Sequence, residues 1–147
     1  MEFKIEINAP RERVWEILWG EKTYPIWTTA FSSTSRVETD WKKGSKAIFL
    51  DGNNKGMVSR IDENVPNEYM SIEHLGYYDN GVEDYEKAEA EKWAGAKENY
   101  TLNDLGGKTE LHIQMDMAID NKEMIAMFEG MWPKALDKVK ELAEGKG

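Results

Sequence analysis

The feature that most constrains the fold is a run of short alternating segments in the middle of the chain. Between residues 33 and 117, stretches with the two-residue period of β-strands are separated by turn sequences such as Lys43-Gly44 and Pro66-Asn67. The last stretch is the clearest, because every second residue is apolar: Leu111, Ile113, Met115 and Met117. Successive side chains of a strand point to opposite faces, so the pattern predicts about six strands of an antiparallel sheet with one face buried.

Helical spacing flanks this run on both sides. A first strand over residues 3–7 ends at Ala9-Pro10, after which Val14, Ile17 and Leu18 recur at helical spacing, and a short second helix is predicted before the run of strands. A long C-terminal helix is predicted from apolar residues at steps of three and four: Ile125, Phe128, Trp132, Leu136, Val139 and Leu142. This order predicts an α+β fold, and the length predicts a single domain over residues 1–147.

Charge and residue usage exclude several classes of function. The chain has 28 acidic and 19 basic residues, and the formal charge of -9 disfavours nucleic acid and anionic membrane surfaces as partners. The apolar runs are too short to span a bilayer, so we expect no membrane insertion and a cytoplasmic location. The absence of cysteine excludes disulfides, thiolate metal sites and a cysteine nucleophile.

Six short motifs, in order along the chain, resemble those of one superfamily. The segment from Ala9 to Leu18, APRERVWEIL, resembles the "APxxxVWxxL" opening of the START/Bet v 1-like (SRPBCC) superfamily, and Trp27 lies where its members often carry a tryptophan. The other matches are Gly44 before a strand, Gly56-Met57-Val58 followed by Val65-Pro66-Asn67-Glu68, Gly107 to Leu111, and Met131 to Leu136. Within the superfamily, the chain resembles the branch named for activators of a heat-shock-protein ATPase.

The resemblance implies a helix-grip fold. In this fold a curved antiparallel sheet of about seven strands wraps around a long C-terminal helix, with two short helices after the first strand and a cavity between sheet and helix. The resemblance does not imply a single function, because the superfamily includes lipid carriers, cyclases, dioxygenase subunits and co-chaperone domains.

Large side chains whose parity on a strand or helix points inward are predicted to line that cavity. They are Trp27, Phe49, Tyr100, Met115, Phe128, Met131 and Trp132. Both faces of the strand that carries Phe49 are apolar, so parity alone does not orient this residue.

Two ionisable residues are predicted to lie among these apolar groups. His74 shares a strand face with Met70 and Ile72, and Glu98 shares one with Tyr100. A lone buried carboxylate is costly, so we expect Glu98 to pair with His74, which would lower the pKa of Glu98 and could orient a polar group of the ligand. Two alternatives stay open: a purely structural histidine, and a one-residue bulge that turns Glu98 out to solvent.

The segment from Gly76 to Trp93 has two interpretations. It is long for a hairpin connection and rich in acidic residues, which is typical of a solvated, partly helical insertion. Its tyrosines and its tryptophan favour burial instead, which would suit a lid at the cavity entrance.

No motif of a catalytic nucleophile, a phosphate loop, a dinucleotide site or a metal centre occurs in the sequence. We therefore predict no cofactor, no metal and no catalytic residue, and the sequence leaves enzymatic activity undecided.

The predicted function is binding of a small, largely apolar, lipid-like or aromatic molecule. One alternative is a co-chaperone-like domain, which would bind a protein partner through an exposed apolar patch. The other is a cyclase-type enzyme for a hydrophobic substrate, which would need polar groups converging inside the pocket.

Overall fold

The alternating segments form one antiparallel sheet. The structure is a computed structural model and describes residues 1–32, 34–116 and 121–145. Its strands are β1 (Glu2–Ile7), β2 (Arg36–Glu38), β3 (Lys46–Leu50), β4 (Lys55–Val65), β5 (Tyr69–Asp79), β6 (Val82–Asp84), β7 (Lys97–Asp104) and β8 (Thr109–Asp116). They are ordered β1-β8-β7-β5-β4-β3-β2, with the short β6 paired to β5. The predicted end of the last strand, Met117, lies outside the described residues.

The helices are α1 (Arg11–Trp19), α2 (Tyr24–Trp27), the 3-10 helix η1 (Thr28–Ala30), α3 (Tyr85–Ala90) and α4 (Lys122–Ala143). The first and last helices occur where the apolar spacing predicts them, and α3 lies in the segment from Gly76 to Trp93. The side chain of Asn121 caps α4 by accepting hydrogen bonds from the backbone N–H groups of Glu123 and Met124. The helix then runs through Pro133. None of the helices in the described part of the chain has the length and apolar character needed to cross a membrane.

The two halves of α4 have different surroundings. The C-terminal half is buried against β1 and α1 through a stripe of four large side chains: Trp132, Leu136, Val139 and Leu142. The N-terminal half is more open, with Ile125 and Phe128 only half-buried. Two register shifts between β4 and β5 bend the sheet around this helix. The result is the helix-grip fold that the resemblance implies, with free space left beside the N-terminal half of α4.

Two strand boundaries differ from those that the sequence pattern indicates. The pattern continues the second strand to Trp41, but β2 ends at Glu38 and Trp41 adopts a positive φ of 63°. The pattern begins the next-to-last strand near Ala94, but β7 begins at Lys97, because Gly95 adopts a φ of 88° in a tight turn. Left-handed turn residues therefore end pairing where apolar alternation alone would extend it.

Gly56 allows β3 and β4 to approach closely, because a Cβ atom at this position would overlap the carbonyl oxygen of Phe49 in the paired strand. Since that oxygen belongs to the backbone, Gly56→Ala must push the strands apart, and we expect it to lower the free energy of unfolding by about 1–3 kcal/mol.

Gly130 in α4 is a control position, because a Cβ atom there would have no neighbouring atom within 4 Å. The substitution Gly130→Ala is therefore expected to stabilise the protein by about 0.5–1 kcal/mol. Urea denaturation measures both changes. A Gly56→Ala variant as stable as the wild type would contradict this packing.

Candidate functional site

A cavity of about 500 Å³ lies between the sheet and the N-terminal half of α4. The chain contains six Trp, six Tyr and four Phe residues, and ten of these rings line the cavity, so its wall is mainly aromatic. The ten are Trp19, Tyr24, Trp27, Phe31, Phe49, Tyr77, Trp93, Tyr100, Phe128 and Trp132. Four methionines complete much of the apolar surface: Met57, Met115, Met124 and Met127. Thioether side chains adapt to ligands of irregular shape.

The two short helices after β1 fix an aromatic ring at the back of the cavity. Trp27 is 1% exposed and donates its indole N–H to the carbonyl oxygen of Leu18 at 3.0 Å. The hydroxyl of Thr23 donates to the carbonyl oxygen of Ile17 at 2.7 Å, which ties the end of α1 to the start of α2. Helix ends leave such carbonyl groups without partners in the helix, so these bonds satisfy the end of α1 and also hold Trp27 in one orientation.

Trp132 is the ring at which α4, η1 and the sheet meet. Its centroid lies 4.9 Å from that of Phe31, 6.1 Å from that of Tyr100 and 6.2 Å from that of Trp27. Its indole N–H has no hydrogen-bond partner among the described residues, and neither has that of Trp19. Aromatic packing, rather than a hydrogen bond, therefore holds Trp132 in place.

Four side chains form a continuous hydrogen-bonded series beside the cavity. His74 Nε2 lies 2.7 Å from Glu98 Oε1, and His74 Nδ1 lies 2.7 Å from Ser59 Oγ. The second carboxylate oxygen of Glu98 accepts the hydroxyl proton of Tyr100 at 2.8 Å. His74, Tyr100 and Ser59 are buried, whereas 19% of the Glu98 side chain is exposed. The mostly buried carboxylate of Glu98 therefore accepts hydrogen bonds from two side chains, those of His74 and Tyr100.

The sheet register explains why these groups meet. β5 pairs with β7 without a shift from Tyr69 opposite Thr101 to Glu73 opposite Lys97. Glu98 therefore stays on the inner face of β7, next to His74, and the alternative in which a bulge turns it to solvent does not occur. Ser59 lies opposite His74 because the register of β4 and β5 shifts between Val58 and Ser59, where Leu75 is an extra residue in β5.

One protonation state satisfies every group in this series. With a single ring proton on Nε2, His74 donates to Glu98 and accepts the hydroxyl proton of Ser59 at Nδ1. Tyr100 donates to the same carboxylate, so Glu98 is an ionised acceptor of two bonds.

The combination of Ser59, His74 and Glu98 has the residue types of a hydrolase triad but not its geometry. Ser59 is completely buried and is not part of the cavity wall. A nucleophilic serine must reach a bound substrate, so Ser59 supports His74 instead of attacking a ligand.

Burial and neighbouring groups act in opposite directions on Glu98. Burial raises the pKa of its carboxyl group, but the nearby imidazole of His74 and the hydrogen bonds from His74 and Tyr100 together outweigh burial, so the pKa lies below the ordinary glutamate value. Burial, followed by the charge of Glu98, raises the pKa of Tyr24 and of Tyr100. Both phenols are therefore protonated hydrogen-bond donors at neutral pH.

The lowered pKa of Glu98 makes stability depend on pH. Its ionisation stabilises the fold above the pKa of a glutamate in the unfolded chain, about 4.3, and this contribution is lost as the pH falls through the lower folded-state pKa. We expect the wild type to exceed Glu98→Gln in stability most above about pH 5, and the difference to shrink as the pH is lowered further. Urea denaturation across this range measures the difference. A difference that stays constant, as we expect for the exposed Glu38→Gln, would show that Glu98 does not gain stability from ionisation.

The β3–β4 hairpin and the first turns of α4 form the rim of the cavity. Lys55 is exposed, and Met127 is 48% exposed, although both line the cavity. The carboxylate of Asp51 accepts hydrogen bonds from the backbone N–H groups of Asn53 and Lys55, which shapes the turn of the hairpin. The cavity therefore opens to solvent on this side.

The segment from Gly76 to Trp93 is folded against the cavity. β5 continues to Asp79, β6 pairs back onto it, and α3 follows. The Trp93 ring lies 5.9 Å from the ring of His74 and 6.2 Å from that of Phe128, while Ala88 of α3 is completely buried. The segment is partly helical, as the interpretation of a solvated insertion predicts, and it also supplies part of the cavity wall. A lid function for it stays a prediction.

The structure brings most of the sequence-predicted site residues together. Eight of the nine line the cavity: Trp27, Phe49, His74, Glu98, Tyr100, Met115, Phe128 and Trp132. The ninth, Met131, is half-buried and is not part of the wall. At this level of α4 the wall is formed by Trp132, which packs against Phe31 of the segment after η1.

Other parts of the wall escaped the sequence analysis. Trp19, Tyr24 and Phe31 line the cavity, but they lie on short helices or loops whose direction relative to the sheet no periodicity indicates. A usable signal existed for Trp19, which forms a second apolar stripe with Trp15 on α1. Ser59 shares a face of β4 with Met57 and Ile61, but its contact with His74 depends on the extra residue Leu75 in β5, which shifts the register of the two strands.

Metal ligation has no support in the described residues, since none of their His, Asp and Glu side chains form a group of three or more that could hold an ion.

A family comparison covers nearly the whole chain. The sequence model of the family described as "Activator of Hsp90 ATPase homolog 1-like protein" matches residues 8–144. No curated protein sequence matches the chain.

Several solved structures share the fold at low sequence identity. The Aha1 dimer from Colwellia psychrerythraea is 18% identical with a TM-score of 0.76, over 99% of this chain and 96% of that chain. Protein CV1439 from Chromobacterium violaceum is 19% identical with a TM-score of 0.69, over 98% and 96% of the two chains. DynU16, from the dynemicin biosynthetic locus, is 13% identical with a TM-score of 0.73 over 99% of this chain, which spans only 47% of DynU16. At such identities the likeness shows the fold alone.

Proposed function

The chain belongs to the family of Activator of Hsp90 ATPase homolog 1-like proteins, and we propose that it binds a small, largely apolar molecule, lipid-like or aromatic, between the sheet and α4. The single observation that carries this proposal is the cavity of about 500 Å³ with its mainly aromatic wall. Its volume lies within the range of about 300–1,000 Å³ that is typical of sites for small molecules. The fold also commonly binds hydrophobic ligands.

The proposed ligand contacts follow from the residues of the wall. Trp27, Phe49 and Trp132 supply flat apolar surface, and Met115 and Phe128 fill the space between them. Burying apolar ligand surface contributes roughly 25 cal/mol per Å², so this wall can hold a ligand without any charged contact. His74, Glu98 and Tyr100 supply the few polar groups that orient it. We also propose that residues 1–147 form a single domain with one ligand site.

Docking of a protein partner has less support in the described surface. The large apolar side chains that are exposed there are dispersed over several elements: Ile26, Val65, Val82, Tyr85, Leu105 and Met127. A docking surface normally gathers such groups into one contiguous patch.

Catalysis on a hydrophobic substrate is the second candidate function. The observation in its favour is the convergence of His74, Glu98 and Tyr100 in one wall of the cavity. An ionised carboxylate hydrogen-bonded to an imidazole can accept a proton from a substrate held against it. Cyclase-type reactions need such a base in an apolar pocket, so loss of turnover in Glu98→Gln would be the signature of this function.

Native mass spectrometry of gently purified protein tests the proposed function. We expect a fraction of the protein to carry a non-covalent mass, which organic extraction releases as an apolar compound. The variant Trp27→Ala, which removes wall surface, should retain less of it, whereas Ile26→Ala, which changes the exposed neighbour of Trp27, should retain as much as the wild type. Protein that carries no such mass and does not take up any compound from a panel of fatty acids, sterols and flavonoids would contradict the proposal.

A further inference from the structure

The charges at the cavity wall are unbalanced. Apart from His74, the charged side chains that line it are Glu98, Asp51 and Lys55. Asp51 and Lys55 belong to the hairpin at the rim, and Lys55 is exposed. Glu98 is therefore the one carboxylate in the interior of the described wall, and no lysine or arginine of that wall lies with it.

The donors that hold Glu98 leave part of its hydrogen-bonding capacity unused. The phenol of Tyr100 is neutral and donates to one carboxylate oxygen, and the Nε2 atom of His74 donates to the other. Each carboxylate oxygen accepts one hydrogen bond from these residues and has capacity for a second. With 19% of its side chain exposed, Glu98 can offer that capacity to a molecule in the cavity.

Aromatic rings pack against the two residues that hold this carboxylate. The ring of His74 contacts Phe49 at 6.2 Å and Trp93 at 5.9 Å between centroids. On the other side, the Tyr100 ring lies 4.8 Å from that of Trp19. The faces of Trp, Tyr and Phe attract cations, and aromatic cages recognise quaternary ammonium groups in this way.

We propose that the ligand of this cavity is an organic cation, with an amine or ammonium group lying against Glu98 and an apolar, preferably aromatic, body in the rest of the cavity. This inference rests on the proposed function and adds the charge of the ligand. A buried carboxylate and the aromatic faces both favour a positive group, whereas the carboxylate of a fatty acid would meet a like charge. The formal charge of -9 also attracts cations to the protein.

Three probes of one shape test the proposal at pH 7: 2-naphthylmethylamine, which is a cation, the neutral 2-naphthylmethanol and the anionic 2-naphthoate. Isothermal titration measures their dissociation constants for the wild type, Glu98→Gln and the control Glu38→Gln, in which an exposed glutamate is changed. We expect the wild type to bind the amine about tenfold more tightly than the alcohol, and the naphthoate most weakly. Glu98→Gln should remove the advantage of the amine and change the affinity for the alcohol less than threefold, and Glu38→Gln should change neither.

The outcomes separate this inference from the proposed function. Equal or tighter binding of the alcohol or the naphthoate by the wild type would overturn the cationic ligand and leave the apolar site standing. An amine advantage that persists in Glu98→Gln would overturn the role of this carboxylate. If that variant does not fold, the comparison of the three probes with the wild type still decides the charge of the ligand. Failure of the wild type to bind any of the probes would overturn the proposed function as well.

Discussion

Replacing Trp27 with alanine is expected to lower the free energy of unfolding by about 3–5 kcal/mol. The side chain is 1% exposed and packs against the rings of Tyr24 and Trp132, at 5.5 and 6.2 Å between centroids. Its removal forfeits the burial of a large aromatic group and leaves the carbonyl oxygen of Leu18 without its indole donor. For a chain of this length, the loss corresponds to a fall in melting temperature of roughly 10 °C or more.

Urea denaturation followed by circular dichroism measures this loss. Trp27→Phe keeps most of the apolar surface but lacks the N–H, so its stability should lie between those of the wild type and Trp27→Ala. Ile26→Ala is a control at the neighbouring position, where the side chain is 40% exposed, and should cost less than about 1 kcal/mol. A Trp27→Ala variant that loses no more than this control would show that the ring does not form part of the core.

Removing the carboxylate in Glu98→Ala is expected to lower the free energy of unfolding by about 2–5 kcal/mol. The substitution leaves the Nε2–H of His74 and the hydroxyl of Tyr100 without their acceptor, and each unpaired buried donor costs about 1–3 kcal/mol. A double-mutant cycle with His74→Ala should give a coupling energy of about 1.5–3 kcal/mol, the range for hydrogen bonds to charged groups.

A matched control is the exposed pair of Arg36 and Glu38, whose Nη1 and Oε2 atoms lie 2.6 Å apart. Surface pairs contribute only about 0–1 kcal/mol, so Glu38→Ala should change stability by no more than that. A coupling energy near zero for His74 and Glu98 would mean that the two side chains do not interact in solution, and would remove the polar anchor from the proposed site.

The secondary structure was largely predictable from the sequence, because each element buries one face. The alternation through Leu111, Ile113 and Met115 and the helical stripe through Trp132, Leu136 and Val139 each correspond to a face that packs into the core. The pattern is uninformative about the residues that stop an element. Trp41 and Lys92 adopt positive φ angles in turns, although nothing in their chemistry favours that conformation.

The candidate site was predictable where a strand runs regularly and not where it is interrupted. Glu98 and Tyr100 share one face of β7, and that face borders the cavity, as alternation predicts. Ser59 shares a face of β4 with Met57 and Ile61, but its contact with His74 depends on the extra residue Leu75 in β5, which shifts the register of the two strands. Met131 shows another limit, because helical spacing places it beside Met127 but does not indicate that the next residue, Trp132, forms the wall at this level of α4.

The rings contributed by α1 and α2 depended on tertiary packing. Trp19 and Tyr24 lie on helices of only nine and four residues, which are too short for periodicity to specify an inward face. Contacts with other elements orient them instead. The Trp19 ring packs 4.8 Å from Trp41 in the loop after β2 and 4.8 Å from Tyr100 on β7. Such contacts between residues far apart in the chain leave no local pattern in the sequence.

The most direct measurement of the central claim is a nuclear magnetic resonance titration of protein labelled with ¹³C-methyl methionine, using 2-naphthylmethanol as the probe. Met57, Met115, Met124 and Met127 line the cavity, whereas Met70 is buried elsewhere in the core and Met131 lies outside the wall. We predict that the methyl resonances of the four cavity methionines shift in a saturable manner, and that those of Met70 and Met131 stay in place. Shifts confined to Met70 or Met131, or no saturable shift at any methionine, would contradict binding in this cavity.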